Sequence, residues 1–181
     1  MEGPKAYQYI PLQSPRAIRL LQVQPAASES SPLLCRLVEV SLDKPPEYDA
    51  LSYTWGKPSA IGPNTVDCND GYLPITKNCH DALTRLRHKR KPTRLWVDAL
   101  CIDQSCVAER SSQVTMMGEI YKSAARVIVW LVPGDPESDF VSAVMGRLRK
   151  LPPFALLPFQ CSPQIGAYMI RKISNLVEGE R

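Results

Sequence analysis

Polar side chains crowd the end of one apolar segment, LWVDALCIDQ, at residues 95–104. Asp98, Asp103 and Gln104 follow the apolar residues 95–97 within this stretch. In an open α/β sheet, ligands bind beyond the carboxyl ends of the strands, where loops and helix amino termini converge. We therefore interpret the segment as a buried strand that leaves the core and enters a ligand-binding cleft.

Two further polar residues are spaced one helical turn apart just after this segment. Glu109 falls in the first turn of the predicted helix and Gln113 follows four residues later, so both side chains lie on one face. A carboxylate there can stabilise an oxocarbenium-like centre or orient a water molecule, as carboxylates do in glycosidic cleavage. An acidic residue in a first turn also complements the helix dipole, and spacing alone favours this structural role.

Asp98 presents a similar choice between a structural and a functional role. A carboxylate directly after a buried strand needs partners, because burying an unpaired charge is costly. Backbone groups or an arginine such as Arg110 would satisfy it structurally, and a ligand would satisfy it functionally. The structural role is favoured, since buried charges are usually paired.

A second strand end, in YDALSYTWG, carries four candidate ligand-binding residues: Ser52, Tyr53, Trp55 and Gly56. Trp55 can stack on a flat ring, and Gly56 allows a ligand to approach the backbone. The alternative is that Tyr53 and Trp55 are core aromatics and Gly56 forms a turn. A pocket wall at a strand end must also be packed, so the pattern leaves both interpretations open.

The elements that position these residues can be predicted from periodicity and turn residues. Segments 16–24 and 35–42 are predicted to pair as strands, and 65–76 is predicted to contain a hairpin that precedes a helix capped by Thr76 or Asn78. Segments 95–97 and 126–132 are predicted to be parallel strands of a βαβ unit. Its helix is predicted to have one apolar stripe of Arg110, Val114, Met117, Tyr121 and Ala124. Further helices are predicted at 137–151 and about 165–177.

Charge and cysteine content argue against several classes of function. The net charge is +4, and the basic segment 85–94 suits a helix carboxyl terminus, stopped by Pro92, better than specific nucleic-acid recognition. The cysteines form no CxxC pair, so buried reduced thiols are expected; Cys101 and Cys106 with two histidines fit zinc spacing poorly. No metal site is therefore predicted.

The absence of several sequence motifs argues against further classes of enzyme. The chain lacks the signatures of P-loop NTPases, Rossmann dehydrogenases, zinc proteases and α/β-hydrolases. Its apolar runs are too short for a transmembrane helix, and its first residues do not form a secretory signal. A cytoplasmic, soluble protein is expected.

Four segments, in order, resemble the heterokaryon incompatibility (HET) domain of filamentous fungi. They are YDALSYTWG, NDGYLPITKNCHDALTRLR, LWVDALCIDQ and ERSSQVTMMGEIYKSAARVIVWL. The resemblance covers about residues 7–132 and departs from the family where Val132 and Pro133 follow VWL in place of a glycine. We therefore expect a HET domain at 1–134 and a helical extension at 135–181.

This resemblance implies a function in non-self recognition and programmed cell death. HET domains are similar to Toll/interleukin-1 receptor (TIR) domains, which implies an α/β fold: a TIR-like, flavodoxin-like sheet, mostly parallel and flanked by helices, here with an added N-terminal antiparallel hairpin. Some TIR domains cleave NAD at its glycosidic bond with a glutamate. The resemblance therefore makes Glu109 the expected catalytic carboxylate, supported by Asp98 and Gln113, with NAD as a substrate and no cofactor required.

The alternative is a non-enzymatic module that acts through homotypic or heterotypic protein contacts in the same signalling. Partners would then be a second copy of the chain or another cell-death signalling protein. Neither a membrane nor a specific nucleic acid is an expected partner.

Overall fold

The structure is a computed structural model that describes residues 5–53, 55, 64–69 and 71–130. Within these residues there are three helices and seven strands, which confirms the predicted α/β class. The predicted helices at 137–151 and 165–177, and the predicted domain boundary at 134, lie outside the described residues. The strands are β1 (Ala17–Val23), β2 (Leu34–Ser41), β3 (Asp49–Tyr53), β4 (Asn64–Cys68), β5 (Gly71–Ile75), β6 (Thr93–Val97) and β7 (Arg126–Trp130), and the helices are α1 (Lys77–Leu86), α2 (Asp98–Cys101) and α3 (Val107–Ser123).

All seven strands belong to one sheet with the order β5-β4-β2-β1-β6-β3-β7. β3 pairs in parallel with β6 and β7, and β2 pairs in parallel with β4. The other neighbouring pairs are antiparallel, so the described sheet is mixed rather than mostly parallel. The prediction failed here because β1 runs antiparallel to both of its neighbours.

The N-terminal strands β1 and β2 pair antiparallel, and they occupy the middle of the sheet. β1 lies between β2 and β6, and six of its seven residues are buried. A strand that is covered on both faces is usually a continuous apolar run. The segment AIRLLQV fits that pattern except for Arg19, which is only 3% exposed and therefore needs buried partners.

The predicted βαβ unit is confirmed as β6, α3 and β7. Both strands are parallel, but β3 lies between them and pairs with each. Consequently the carboxyl ends of β3, β6 and β7 meet at one edge of the sheet, and their amino ends meet at the opposite edge. Asp98 lies at the edge formed by the carboxyl ends, and the basic residues Lys91 and Arg94 lie at the edge formed by the amino ends.

The hairpin and the first helix predicted from local sequence signals are confirmed. β4 and β5 pair antiparallel, and Asn69 in their turn has a φ of 51°, a left-handed conformation that asparagine tolerates. The Thr76 side chain caps α1 by accepting a hydrogen bond from the Cys79 backbone N–H. The helix ends at Leu86, well before Pro92, because the chain turns extended at Arg87.

Arg87 ties the end of α1 to the loop between β1 and β2. Its guanidinium donates hydrogen bonds to four backbone carbonyls, those of Ser28, Glu29, Ser31 and Pro32. Four charge-assisted hydrogen bonds from one side chain fix this loop against the helix.

The apolar stripe predicted for α3 is confirmed near the carboxyl end of the helix, at Tyr121 and Ala124, but not near its amino end. Arg110 and Val114 are exposed, whereas Gln113, Ile120, Tyr121 and Ala124 are buried. The polar residues Glu109 and Gln113 turn towards the sheet because each has a specific partner there, described below. None of the described helices is long and apolar enough to cross a membrane.

Candidate functional site

Asp98 lies at the carboxyl edge of the parallel strands, as the sequence predicted. It directly follows β6 and begins α2, and the neighbouring strand β3 ends at Tyr53. Trp55 Nε1 donates a hydrogen bond of 3.3 Å to Asp98 Oδ1, and Gln104 Nε2 donates one of 2.9 Å to the Asp98 carbonyl. We call these four residues, Tyr53, Trp55, Asp98 and Gln104, the strand-end cluster.

The amino terminus of α1 completes one side of the strand-end cluster. Burial raises the pKa of the Tyr53 phenol, and the nearby Cys79 thiol and Asp98 carboxylate raise it further. Burial also raises the pKa of the Cys79 thiol, to about 11, although its hydrogen bond with Tyr53 opposes this effect. Tyr53 and Cys79 are therefore protonated and neutral at pH 7, so neither side chain adds a charge beside Asp98.

The pKa of the Asp98 carboxyl is raised above its ordinary value. Burial raises its pKa, while hydrogen bonds from the Ala99 backbone N–H and from Trp55 lower it. The contact with Ala99 is short, 2.7 Å, and Arg110 binds the Gln104 carbonyl rather than this carboxylate. A carboxyl with a raised pKa at a strand end, beside an exposed indole, is a candidate general base or electrostatic stabiliser.

Glu109, the other predicted catalytic carboxylate, is held in a nearly buried ion pair with Arg19 of β1. Arg19 Nη1 lies 2.5 Å from Glu109 Oε1 and Arg19 Nη2 lies 3.0 Å from Glu109 Oε2. The two side chains are 4% and 11% exposed. Glu109 Oε1 also accepts a 2.8 Å hydrogen bond from the Asp103 backbone N–H.

Arg19 has further partners that complete its environment. Its guanidinium donates to the carbonyls of Ile10 and Cys101, and it lies over the Tyr9 ring at 5.1 Å. Burial alone would lower the pKa of Arg19, but the hydrogen bonds and charge of Glu109 outweigh burial and raise it. The Arg19–Glu109 pair thus joins β1, the start of α3 and the N-terminal segment.

The other predicted site residues that the structure describes lie near the strand-end cluster or near the Arg19–Glu109 pair. Asp103 Oδ1 accepts hydrogen bonds from the backbone N–H and hydroxyl of Ser105 ahead of α3. Gln113 is buried and donates a 2.9 Å hydrogen bond to the Ala17 carbonyl. Ser52 is half-buried in β3, and Gly56 lies outside the described residues.

Sequence reasoning missed Arg19, Thr76 and Cys79 as neighbours of the predicted site. A signal for Arg19 was available: it is the one charged residue in the apolar segment AIRLLQV, and a buried charge implies a buried partner of opposite sign. Thr76 was predicted only as a helix cap. No local pattern indicates that the first turn of α1 packs beside Tyr53, because that contact depends on the strand order.

No group of three or more histidine, cysteine or acidic side chains is arranged for a metal ion in the part of the chain that the structure describes. Of the cysteines described, only Cys106 is exposed. Burial also raises the pKa of the Cys101 thiol to about 12, which keeps it protonated and poorly nucleophilic. The chemistry available at the strand-end cluster is therefore that of a carboxylate, an indole and a neutral phenol.

Comparisons with known proteins support one family. The model of the family "Heterokaryon incompatibility protein (HET)" matches residues 48–157. "Heterokaryon incompatibility protein 6, OR allele" of Neurospora crassa is 35% identical over 155 residues, which cover 79% of this chain and 23% of that protein. The chain thus spans less than a quarter of the length of this curated relative. No solved structure matches this chain significantly. Because the family model covers more than half of the chain and includes both strand ends described above, the chain belongs to the heterokaryon incompatibility family.

Proposed function

We propose that this chain acts in fungal heterokaryon incompatibility, where it promotes cell death by cleaving the glycosidic bond of NAD. Family membership supports the biological role. The observation that carries the chemistry is the Asp98 carboxyl, which has a raised pKa and lies at the carboxyl edge of three parallel strands. We propose that the fold is TIR-like in the arrangement of these parallel strands.

Asp98 is the better placed of the two candidate carboxylates. Both oxygens of Glu109 are hydrogen-bonded to the Arg19 guanidinium, and one also accepts the Asp103 N–H. A carboxylate so engaged would have to break several charge-assisted bonds before it could contact a substrate. Glu109 therefore serves in this proposal as a positioning residue for the segment that follows Asp98.

In the proposed reaction, the bond between the nicotinamide nitrogen and the ribose C1′ breaks and the electron pair leaves with neutral nicotinamide. The ionised Asp98 stabilises the oxocarbenium-like ribosyl centre, and a water molecule then adds to C1′ and releases a proton. The products are nicotinamide, ADP-ribose and one proton. Trp55, which is 44% exposed, offers a surface for a planar ring of the substrate.

The direct test is to incubate the purified protein, at high concentration and when tethered into oligomers, with NAD. Chromatography would follow loss of NAD together with release of nicotinamide and ADP-ribose in equal amounts. Equal release is expected because hydrolysis yields one molecule of each. If no NAD is consumed by the tethered protein, the enzymatic proposal is wrong.

A second candidate function, a non-enzymatic interaction module, is supported by the outer face of α3. Val107 is 65% exposed and Val114 is 49% exposed. These residues are seven apart, so they lie on the same side of the helix. Exposed apolar side chains that share a helix face are typical of protein interaction sites, and a second copy of this chain is the partner that we propose for this function.

The Val107→Asp/Val114→Asp double variant is expected to weaken self-association by about tenfold or more, because it places charges in an apolar contact. Sedimentation velocity over a concentration series measures the effect. The control is Ser112→Asp/Ser123→Asp, which adds the same charge at exposed positions elsewhere on α3. Equal association of the two double variants would contradict this function.

A further inference from the structure

We propose that the opposite edge of the sheet contains a second ligand site, which binds a phosphate-bearing small molecule. A cavity of about 620 Å³ lies at the amino ends of β3, β6 and β7. Ligand cavities of small molecules are typically about 300–1,000 Å³. This cavity is at the other end of the parallel strands from Asp98, so it is separate from the proposed NAD site.

The charged lining of the cavity favours an anion. Lys91, Arg94 and Arg126 contribute positive charge, and Glu47 and Asp49 contribute negative charge. Arg126 and Asp49 neutralise each other through two hydrogen bonds, of 3.1 and 2.6 Å. With that pair matched, two cations face one exposed carboxylate, so the lining carries a net positive charge.

Lys91 and Arg94 are the two lining cations that remain available to a ligand. Among the described residues, neither side chain forms a hydrogen bond or an ion pair. Arg85 is the basic residue in the last turn of α1, where it complements the helix dipole. Lys91 and Arg94 lie beyond that turn, and the dipole effect declines within one turn, so it does not account for them.

The basic loop between α1 and β6 is ordered by its own hydrogen bonds. His88 Nδ1 accepts the backbone N–H groups of Arg90 and Lys91, at 3.0 and 3.2 Å. The His88 backbone N–H donates a hydrogen bond to Thr93 Oγ1, and the Thr93 hydroxyl donates one to the Leu86 carbonyl. Because Nδ1 accepts both of these hydrogen bonds, Nε2 is the ring nitrogen that can donate one to a ligand.

The shape of the lining indicates a ligand with an apolar or aromatic part beside its phosphate. Leu86 and Ile128, which are half-buried, form an apolar part of the wall. Cationic side chains beside an apolar wall match a phosphate ester or pyrophosphate that is joined to a ring. A nucleotide such as ADP has this chemistry, and inorganic pyrophosphate has its anionic part alone.

Isothermal titration calorimetry with ADP and, separately, with inorganic pyrophosphate tests the proposal at about 0.15 M salt, where long-range surface attraction is screened. ADP is expected to bind more tightly than pyrophosphate because it also contacts the apolar wall. Lys91→Ala/Arg94→Ala is expected to raise the Kd of both probes by about tenfold or more. Lys91→Arg/Arg94→Lys keeps both charges and is expected to retain binding.

Arg36→Ala/Lys44→Ala is the matched control, because it removes the same charge from exposed positions outside the cavity lining. Its Kd is expected to equal that of the unmodified protein. Equal weakening in both alanine double variants would indicate only general attraction of a basic protein for anions and would overturn the proposal. The proposal also fails if neither probe binds the unmodified protein.

Discussion

Glu109→Gln is expected to lower the free energy of unfolding by about 3–5 kcal/mol, because it removes one partner of a buried ion pair and leaves the Arg19 charge uncompensated. The side chains of the pair are 4% and 11% exposed, so solvent screens the lost interaction only weakly. Since small domains are stable by about 5–15 kcal/mol, the loss is a large part of the total. Urea unfolding followed by circular dichroism measures it.

The matched control is Glu119→Gln, the same chemical change on the same helix. Glu119 pairs with Arg16, but their side chains are 57% and 45% exposed, and exposed ion pairs contribute little to stability. The double variant Arg19→Met/Glu109→Leu replaces both charges with apolar groups and is expected to recover much of the loss. If Glu109→Gln is as mild as Glu119→Gln, Glu109 is not structural and its catalytic role becomes the better account.

Asp98→Asn is expected to lower NAD turnover by about a hundredfold or more without unfolding the protein, because an amide cannot stabilise a developing positive charge or accept a proton. Asparagine retains an oxygen that can accept the hydrogen bonds from Trp55 and the Ala99 N–H. Release of nicotinamide by the tethered protein measures turnover. Tyr53→Phe, which keeps the ring and the neutral charge, is the control and is expected to have a much smaller effect.

The pH dependence of the same variant gives a second, independent measurement. The pKa of Asp98 in the folded protein is raised above the ordinary value of 3.8, so its ionised form destabilises the fold above that pH. This cost is lost as pH falls through the raised pKa towards 3.8. At pH 7 Asp98→Asn is therefore expected to be as stable as the unmodified protein or more stable, and the difference is expected to disappear in acid. A variant that is less stable at pH 7 would contradict the raised pKa.

Local sequence signals predicted most of the elements but not the order of the strands. The Thr76 cap, the turn at Asn69 and the βαβ unit all follow from patterns within short segments. The central place of β1 does not, because an antiparallel strand that pairs on both sides is defined by contacts distant in sequence. A mostly parallel sheet was the wrong prediction for that reason.

Strand order also decides which predicted residues lie together. Asp98 and Trp55 are close because β3 and β6 are parallel neighbours. Glu109 and Gln113 share a helix face, as predicted, but that face packs on β1 through Arg19 and the Ala17 carbonyl. Helical spacing predicts that Glu109 and Gln113 share a face of α3, but the tertiary fold determines what that face packs against.

Because β1 and β2 lie in the middle of the sheet, the segment that matches the family model is shorter than the domain that can fold. The family match starts at residue 48, whereas these strands span Ala17–Val23 and Leu34–Ser41. A fragment cut at the family boundary would leave β5 and β4 as an isolated hairpin, detached from β6, β3 and β7. It would also leave Glu109 without its arginine, so β1 and β2 are an integral part of this domain.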